Sequence, residues 1–195
     1  MFLICLLFVV LIGGCAGVGL PHVRQMAPLP EDSLCKIAVL PFINETEFVD
    51  GDIIPYRVFM SELNRSGNFY LAQEGDVRNL YREMSIFPGQ RPQFDQIRVL
   101  SNRLNVDLLI SGRIIEMAED RTGREKPPVL GMNLSIINGK TGAVLWTTYH
   151  RREGEEYRKI MHFGLVNTIT SLSQKMSREI IDSWFKKGLK VCNKS

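Results

Sequence analysis

The apolar residues of this chain keep three different rhythms, and each predicts a different element. From Phe2 to Ile12 they run without a polar interruption. Short β-branched runs then appear at Lys36 to Phe42 (KIAVLPF), Asn68 to Gln73 (NFYLAQ) and Val106 to Met117 (VDLLISGRIIEM), each reading as a strand. Between them, Tyr56, Phe59, Met60 and Leu63 recur at helical spacing, with Pro55 suited to a first turn and Gly67 to a stop. Val77, Leu80, Tyr81 and Met84 repeat that spacing behind Asp76, and Ile97, Leu100 and Leu104 mark a further helix opened near Phe94 and Asp95. Gly112, inside the longest strand, marks a bulge or a close approach. Gly131 to Ile137 alternates through Met132, Leu134 and Ile136, and Asn138-Gly139-Lys140-Thr141-Gly142 is turn chemistry leading into a strand from Gly142 to Arg152. The last stripe, Ile160, Phe163, Val166, Ile169, Leu172, Met176, Ile180 and Trp184, predicts one long helix from about Glu155 to Phe185. The order is β-α-β-α-α-β-β-β-α, an α/β (α+β) fold with a mixed sheet of about five strands and packed helices.

The first apolar run has eleven residues, too few for the ~20 that cross a bilayer as a helix. It fits the apolar stretch of a secretory signal, although no Lys or Arg precedes it. Ile12-Gly13-Gly14-Cys15 resembles the bacterial lipobox, which implies a signal peptide over 1–14, cleavage before Cys15, and acylation of both its sulfur and its new amine. Each buried acyl methylene contributes ~0.8 kcal/mol, so two or more chains hold firmly where one is marginal. Ala16 stands where an Asp marks inner-membrane retention in Gram-negative lipoproteins, so the resemblance implies the periplasmic face of the outer membrane.

Cleavage there leaves 181 residues, one domain's worth plus a tether. Residues 15–34, with Pro21, Pro28 and Pro30, read as the lipidated N-terminus and a linker; residues 35–195 read as a single periplasmic domain. The formal net charge of +3 is small and its basic residues are scattered, which argues against nucleic acid as a partner. Cys5 leaves with the signal and Cys15 carries lipid, so Cys35 and Cys192 remain. They flank the domain, where they either form a disulfide closing its two ends or stand as two thiols.

The ordered set NVDLLISGRIIEM and LGMNLSIINGKTGAVLW, after the opening KIAVLPFINET, resembles the CsgG/LpoB-type envelope lipoproteins and the related N-terminal domain of TolB. The matching positions are Leu104, Asp107, Gly112, Ile114, Thr141, Gly142, Val144 and Trp146, and the likeness runs roughly from Lys36 to Lys187. It implies a non-catalytic role: binding a protein partner in the envelope, as an activator of cell-wall synthesis or an assembly factor. A second reading is a homo-oligomeric subunit of a curli-type secretion apparatus. Against a pore, the segment from Glu116 to Pro128 is short and charged, whereas one spanning strand needs about 9–11 residues.

Catalytic signatures were sought in the remaining polar residues. His22, His150 and His162 lie far apart without metal-ligand spacing, so no metal or other cofactor is expected. Glu153, Glu155 and Glu156 fit the positive end of the predicted long helix better than acid–base work. Nucleophile-elbow, phosphate-loop and dinucleotide motifs are missing, leaving an enzyme or small-ligand binder as the third reading. Two loops carry apolar residues in polar settings: Ile43 to Ile54, with Phe48 and Ile53, and Ser85 to Phe94, with Phe87 and Phe94. These four are the expected partner contacts if they face solvent, and loop plugs if they fold inward.

Overall fold

The computed structural model describes residues 19–30, 35–119, 126–160, 163–190 and 192. Its strands are β1 (His22–Gln25), β2 (Lys36–Val39), β3 (Ile43–Asn44), β4 (Tyr70–Leu71), β5 (Leu108–Ala118), β6 (Val129–Asn138) and β7 (Val144–Glu153). Its α-helices are α1 (Ile53–Arg65), α2 (Glu74–Glu83), α3 (Phe94–Leu104) and α4 (Ile169–Lys186). The strands form one mixed sheet in the order β1-β7-β6-β5-β2-β4, with β3 also on β5. The α/β class and the order of the expected elements are present. Seven strands replace the expected five, because two short pieces lack any apolar run of their own.

One of those pieces is β1, inside the segment read as linker. Only Val23 of its four residues is buried, and the pairing comes from the backbone: His22 to Gln25 run antiparallel to Tyr149 to Trp146. The other is β3. The run KIAVLPF is a strand only to Val39; Pro41 and Phe42 step away, and Ile43–Asn44 then rejoin β5 beside Arg113 and Ile114. The step is made for a ring. A Cβ on Gly112 would stand 2.5 Å from Phe42 Cδ1 and 2.8 Å from Leu134 Cδ2, so Gly112 is a close approach and the bulge lies further on, at Ile114/Glu116.

Helices cover both faces. On one, α1 and α4 bury Tyr56, Phe59, Leu63, Met176, Ile180 and Trp184 against Ile37, Val39, Ile110, Ile114, Met132, Leu134 and Ile136. Trp184 Nε1 donates to Thr148 Oγ1 at 2.7 Å, satisfying a buried indole N–H. Between the two helices, buried Glu62 accepts from Arg178 Nε at 2.8 Å and Gln174 Nε2 at 2.9 Å. On the other face, α2 and α3 bury Val77, Leu80, Tyr81, Ile97 and Leu100 against Ala38, Leu40, Leu109 and Ile137. That cover ends there: Arg113, Asn133, Ser135, Thr147 and Tyr149, on the same side of β5 to β7, are half-buried or exposed.

The long C-terminal helix is present as α4, but it starts at Ile169 rather than near Glu155. Residues 154–157 make a 3-10 turn (Gly154–Tyr157), Ile160 and Phe163 pair in an antiparallel bridge, and α4 begins only at Ile169, where Thr168 Oγ1 caps Ser171 N at 3.2 Å. The stripe itself explains this. From Ile160 to Leu172 it repeats every three residues, which at about 100° per residue drifts steadily off one helical face. From Leu172 to Trp184 it repeats every four, which drifts less, by about 40° a step against about 60°. Gly164, at φ +87°, and Gly154, whose Cβ would lie 2.0 Å from the Val166 carbonyl oxygen, both serve the loop. Glu153, Glu155 and Glu156 therefore stand on no long-helix terminus.

Cys35, just before β2, and Cys192, after α4, have Cα atoms 5.1 Å apart and sulfur atoms 2.21 Å apart. Backbone bonds hold both nearby: Cys192 N to the Asn68 carbonyl at 3.1 Å and Tyr70 N to the Cys35 carbonyl at 2.8 Å.

Overpacking at the centre of the sheet is expected to be costly. Gly112→Ala should lower the unfolding free energy in urea by about 1–3 kcal/mol, and Phe42→Leu in the same chain should recover part of it. An unchanged midpoint for Gly112→Ala would contradict the packing.

Candidate functional site

The two loops singled out by their apolar residues meet in one cleft. The first is stitched to itself: Asn44 Oδ1 accepts from Thr46 N at 3.0 Å and Thr46 Oγ1 at 2.7 Å, while Asn44 Nδ2 donates to the Phe48 carbonyl at 2.7 Å. This Asx arrangement delivers Asp52 to the cleft. The second loop begins where α2 stops. Ser85 takes a left-handed conformation (φ 53°) and Ile86 N donates back to the Tyr81 carbonyl at 2.9 Å, a Schellman closure that drops Ile86 into the core beside Tyr81. The chain then turns at Pro88–Gly89, with Gly89 at φ +79° and Gln90 N bonded to the Phe87 carbonyl at 3.1 Å. Phe87 is left 64% exposed.

The result is a cavity of about 350 Å³ with an apolar floor and wall from Phe42, Tyr81, Ile86 and Phe87, and with Asp52, Arg78 and Arg82 lining it too. Arg78 donates to Glu74 Oε1 at 2.7 Å and lies over the Tyr56 ring at 5.8 Å from its centroid. Burial raises the Tyr56 hydroxyl to about 12, with Glu74 adding to the effect, and burial raises Tyr81 as well. Both phenols stay neutral at ordinary pH. The cleft thus offers rings, a turn and fixed charges, which suits recognition of an apolar side chain with polar flanks.

Of the four expected contact residues, Phe87 lines this cleft. Phe48 and Ile53 are half-buried and lie away from it. Phe94 is exposed on one side and lines a smaller cavity of about 210 Å³ with Ser111, Ser135 and Val144. Its ring rests where a Cβ on Gly142 would stand 2.6 Å from Cε2. Arg78 and Arg82, on the polar side of α2, carried no sequence signal beyond an ordinary solvated face.

A second polar cluster sits at the other end of β7. His150 and Arg152 point inward, Arg152 being only 1% exposed. Glu179 of α4 receives His150 Nε2 at 2.5 Å and Arg152 Nε at 3.2 Å on one oxygen, and Tyr157 Oη at 3.0 Å on the other. Arg152 Nη1 donates to Glu156 at 2.8 Å, while its buried Nη2 has no hydrogen-bond partner among the described residues. Burial works to raise the Glu179 carboxyl, but the bonds from His150, Arg152 and Tyr157 outweigh it and hold it below the usual carboxylate range. The nearby hydroxyl of Thr148 accepts from the Trp184 indole N–H. The cluster reads as a lock between β7, the 3-10 turn and α4. His162 and Cys15 lie outside the described residues.

No protein-family model matches the chain, and no curated protein matches it significantly. Solved structures do. PelC from Paraburkholderia phytofirmans, a dodecamer, superposes with a TM-score of 0.54 at 18% identity, over 83% of this chain and 95% of that one. Lipoprotein GNA1162 from Neisseria meningitidis gives 0.54 at 13% identity, over 78% and 99%. The C-terminal domain of LpoB from Escherichia coli gives 0.47 at 10% identity, over 64% and 87%, too distant for the assignment to rest on it. At these identities the likeness establishes the fold: this chain is built as PelC and lipoprotein GNA1162 are.

The Glu179 lock sets a pH dependence. A carboxyl whose pKa is lower folded than unfolded stabilises the fold fully above the unfolded value of about 4.3, and loses that contribution as pH falls through the folded value. Glu179→Gln should therefore cost roughly 1.5–3 kcal/mol at pH 7 and progressively less below about pH 4. Urea unfolding across pH reads this; a deficit that stays constant down to pH 2 would contradict it.

Proposed function

We propose that this chain is a lipid-anchored accessory protein of the bacterial cell envelope that binds a protein partner through the Phe87 cleft. The cleft carries the reading: a large aromatic side chain is held in solvent by a helix closure and a Pro–Gly turn, above an apolar floor. The neutral Tyr81 phenol and Arg78, ion-paired with Glu74, favour binding over catalysis there. Cys15, behind its lipobox-like segment, is the anchor, and Ala16 directs the protein to the periplasmic face of the outer membrane. The fold shared with lipoprotein GNA1162 supports an envelope role. The kinship with CsgG and the TolB N-terminal domain belongs to this proposal and rests on the sequence motifs. Cys35 and Cys192 form a disulfide in that oxidising compartment, closing the domain at both ends.

A second reading is self-association. The uncovered part of the sheet around Arg113, Asn133 and Tyr149, in a fold that PelC assembles as a dodecamer, favours it. Native mass measurement of the detergent-extracted protein separates a closed ring from a monomer that recruits a different chain.

In cells, photocrosslinking from position 87 should capture one discrete partner, and Phe87→Asp should abolish crosslinking from neighbouring Gln90. Capture that is unaffected by Phe87→Asp would overturn the cleft. Intact mass of the purified chain should show Cys15 at the N-terminus with acyl groups; an unmodified Cys15 would remove the anchor. Alkylation without reductant should leave Cys35 and Cys192 unlabelled, and Cys192→Ser should destabilise the domain by about 2–5 kcal/mol.

A further inference from the structure

We infer that the loop tip at Ile160 and Phe163 is a second membrane contact, a wedge that seats the domain against the lipid surface in one orientation. This rests on the proposal that Cys15 is lipidated. Phe163 is 79% exposed and Ile160 75%, far beyond the neighbouring strand residues, and Leu20, near the start of the described chain, is 81% exposed. The tip is not a frayed end. Ile160 and Phe163 face each other in a β-bridge, Lys159 N donates to the Phe163 carbonyl at 2.8 Å, and Gly164 packs tightly under the Tyr157 carbonyl. Two large apolar side chains are thus exposed on hydrogen-bonded backbone, with Lys159 beside them and Arg158 bonded to Glu155 at 2.8 Å, and apolar groups next to a basic one suit a membrane interface.

The occupant is fixed by where the chain enters. Antiparallel to β7, the segment before His22 runs toward Arg152, and a Cβ on Gly19 would stand 3.6 Å from Arg152 Nη1. Arg152 holds Glu156 of the 3-10 turn, and that turn leads directly into the tip. Gly19 and the tip therefore share one end of the molecule. Three residues lie between Cys15 and Gly19, and the four Cα–Cα steps reach at most ~14 Å. A lipid surface that holds Cys15 must lie close to that end, where the exposed apolar side chains wait for it. A protein partner at the same tip would have to share it with the bilayer.

The test uses the full chain, processed in a Gram-negative host and reconstituted into vesicles of phosphatidylethanolamine and phosphatidylglycerol carrying bromine atoms high on one acyl chain. Tryptophan emission reports contact, because Trp146 and Trp184 are buried and give the baseline. Phe163→Trp adds a probe at the tip. Lys140→Trp adds one in the β6–β7 turn, at the far end of strands roughly 30 Å long. Both sites are exposed, so neither variant disturbs the core. Co-flotation with the vesicles, together with loss of the added emission for Phe163→Trp and not for Lys140→Trp, is the expected result. Flotation with both probes bright overturns the wedge and leaves the anchor standing. Flotation with both probes dimmed overturns the single orientation, and failure to float removes the anchor and this inference together.

Discussion

A buried guanidinium organises one end of this molecule. Arg152 lies in the last strand with almost no solvent, between Glu179 of the C-terminal helix and Glu156 of the 3-10 turn, with Tyr157 stacked 5.5 Å from its Cζ. Such a group is expensive to desolvate and is held only because carboxylates meet it in place. Strand, turn and helix are thereby tied at one point, in addition to the Trp184–Thr148 and His150–Glu179 contacts, and the first described residue, Gly19, lies beside the same side chain. The N-terminal segment reaches the same end through the backbone pairing of β1 with β7.

The rest of the architecture follows from an unequal division of the sheet. Its α1/α4 face is sealed by aromatic and long aliphatic side chains, and the Phe42 ring fits there only because Gly112 has no side chain. The opposite face is sealed only where α2 and α3 sit, over Ala38, Leu40, Leu109 and Ile137. The Phe87 cleft opens where the turn after α2 crosses the step between β2 and β3, so one irregularity in a strand and one helix closure create it. The cleft is thus made by loops, while the regular elements supply rigidity.

The sequence was most legible where packing is local and periodic. The four stripes of helical spacing at Tyr56, Val77, Ile97 and Leu172 onward correspond to α1 to α4, and the alternation at Met132, Leu134 and Ile136 to β6. It was least legible where backbone pairing does the work. His22 to Gln25 has one buried apolar residue, and nothing in those four residues alone announces a partner strand more than a hundred positions away. The late start of α4 is hidden in the sequence, because a three-residue repeat from Ile160 to Leu172 resembles a helical face. At the site, the apolar loop residues were visible as types, but only the fold decides that Phe87 stands out while Phe48 and Ile53 turn partly inward. Arg152 and Glu179 gave no signal at all, since a charged pair on a strand and a helix reads as two solvated surfaces until the elements are docked.

The claim that Arg152 ties the 3-10 turn to α4 at one end of the molecule is tested most directly by hydrogen–deuterium exchange of the full chain carrying Arg152→Met. Exchange should rise together in the 3-10 turn and in the middle of α4, while the β5–β6 centre and the β1–β7 ladder keep their protection. Unchanged exchange in both the turn and α4 would show that they hold their places without the guanidinium, and would contradict the account.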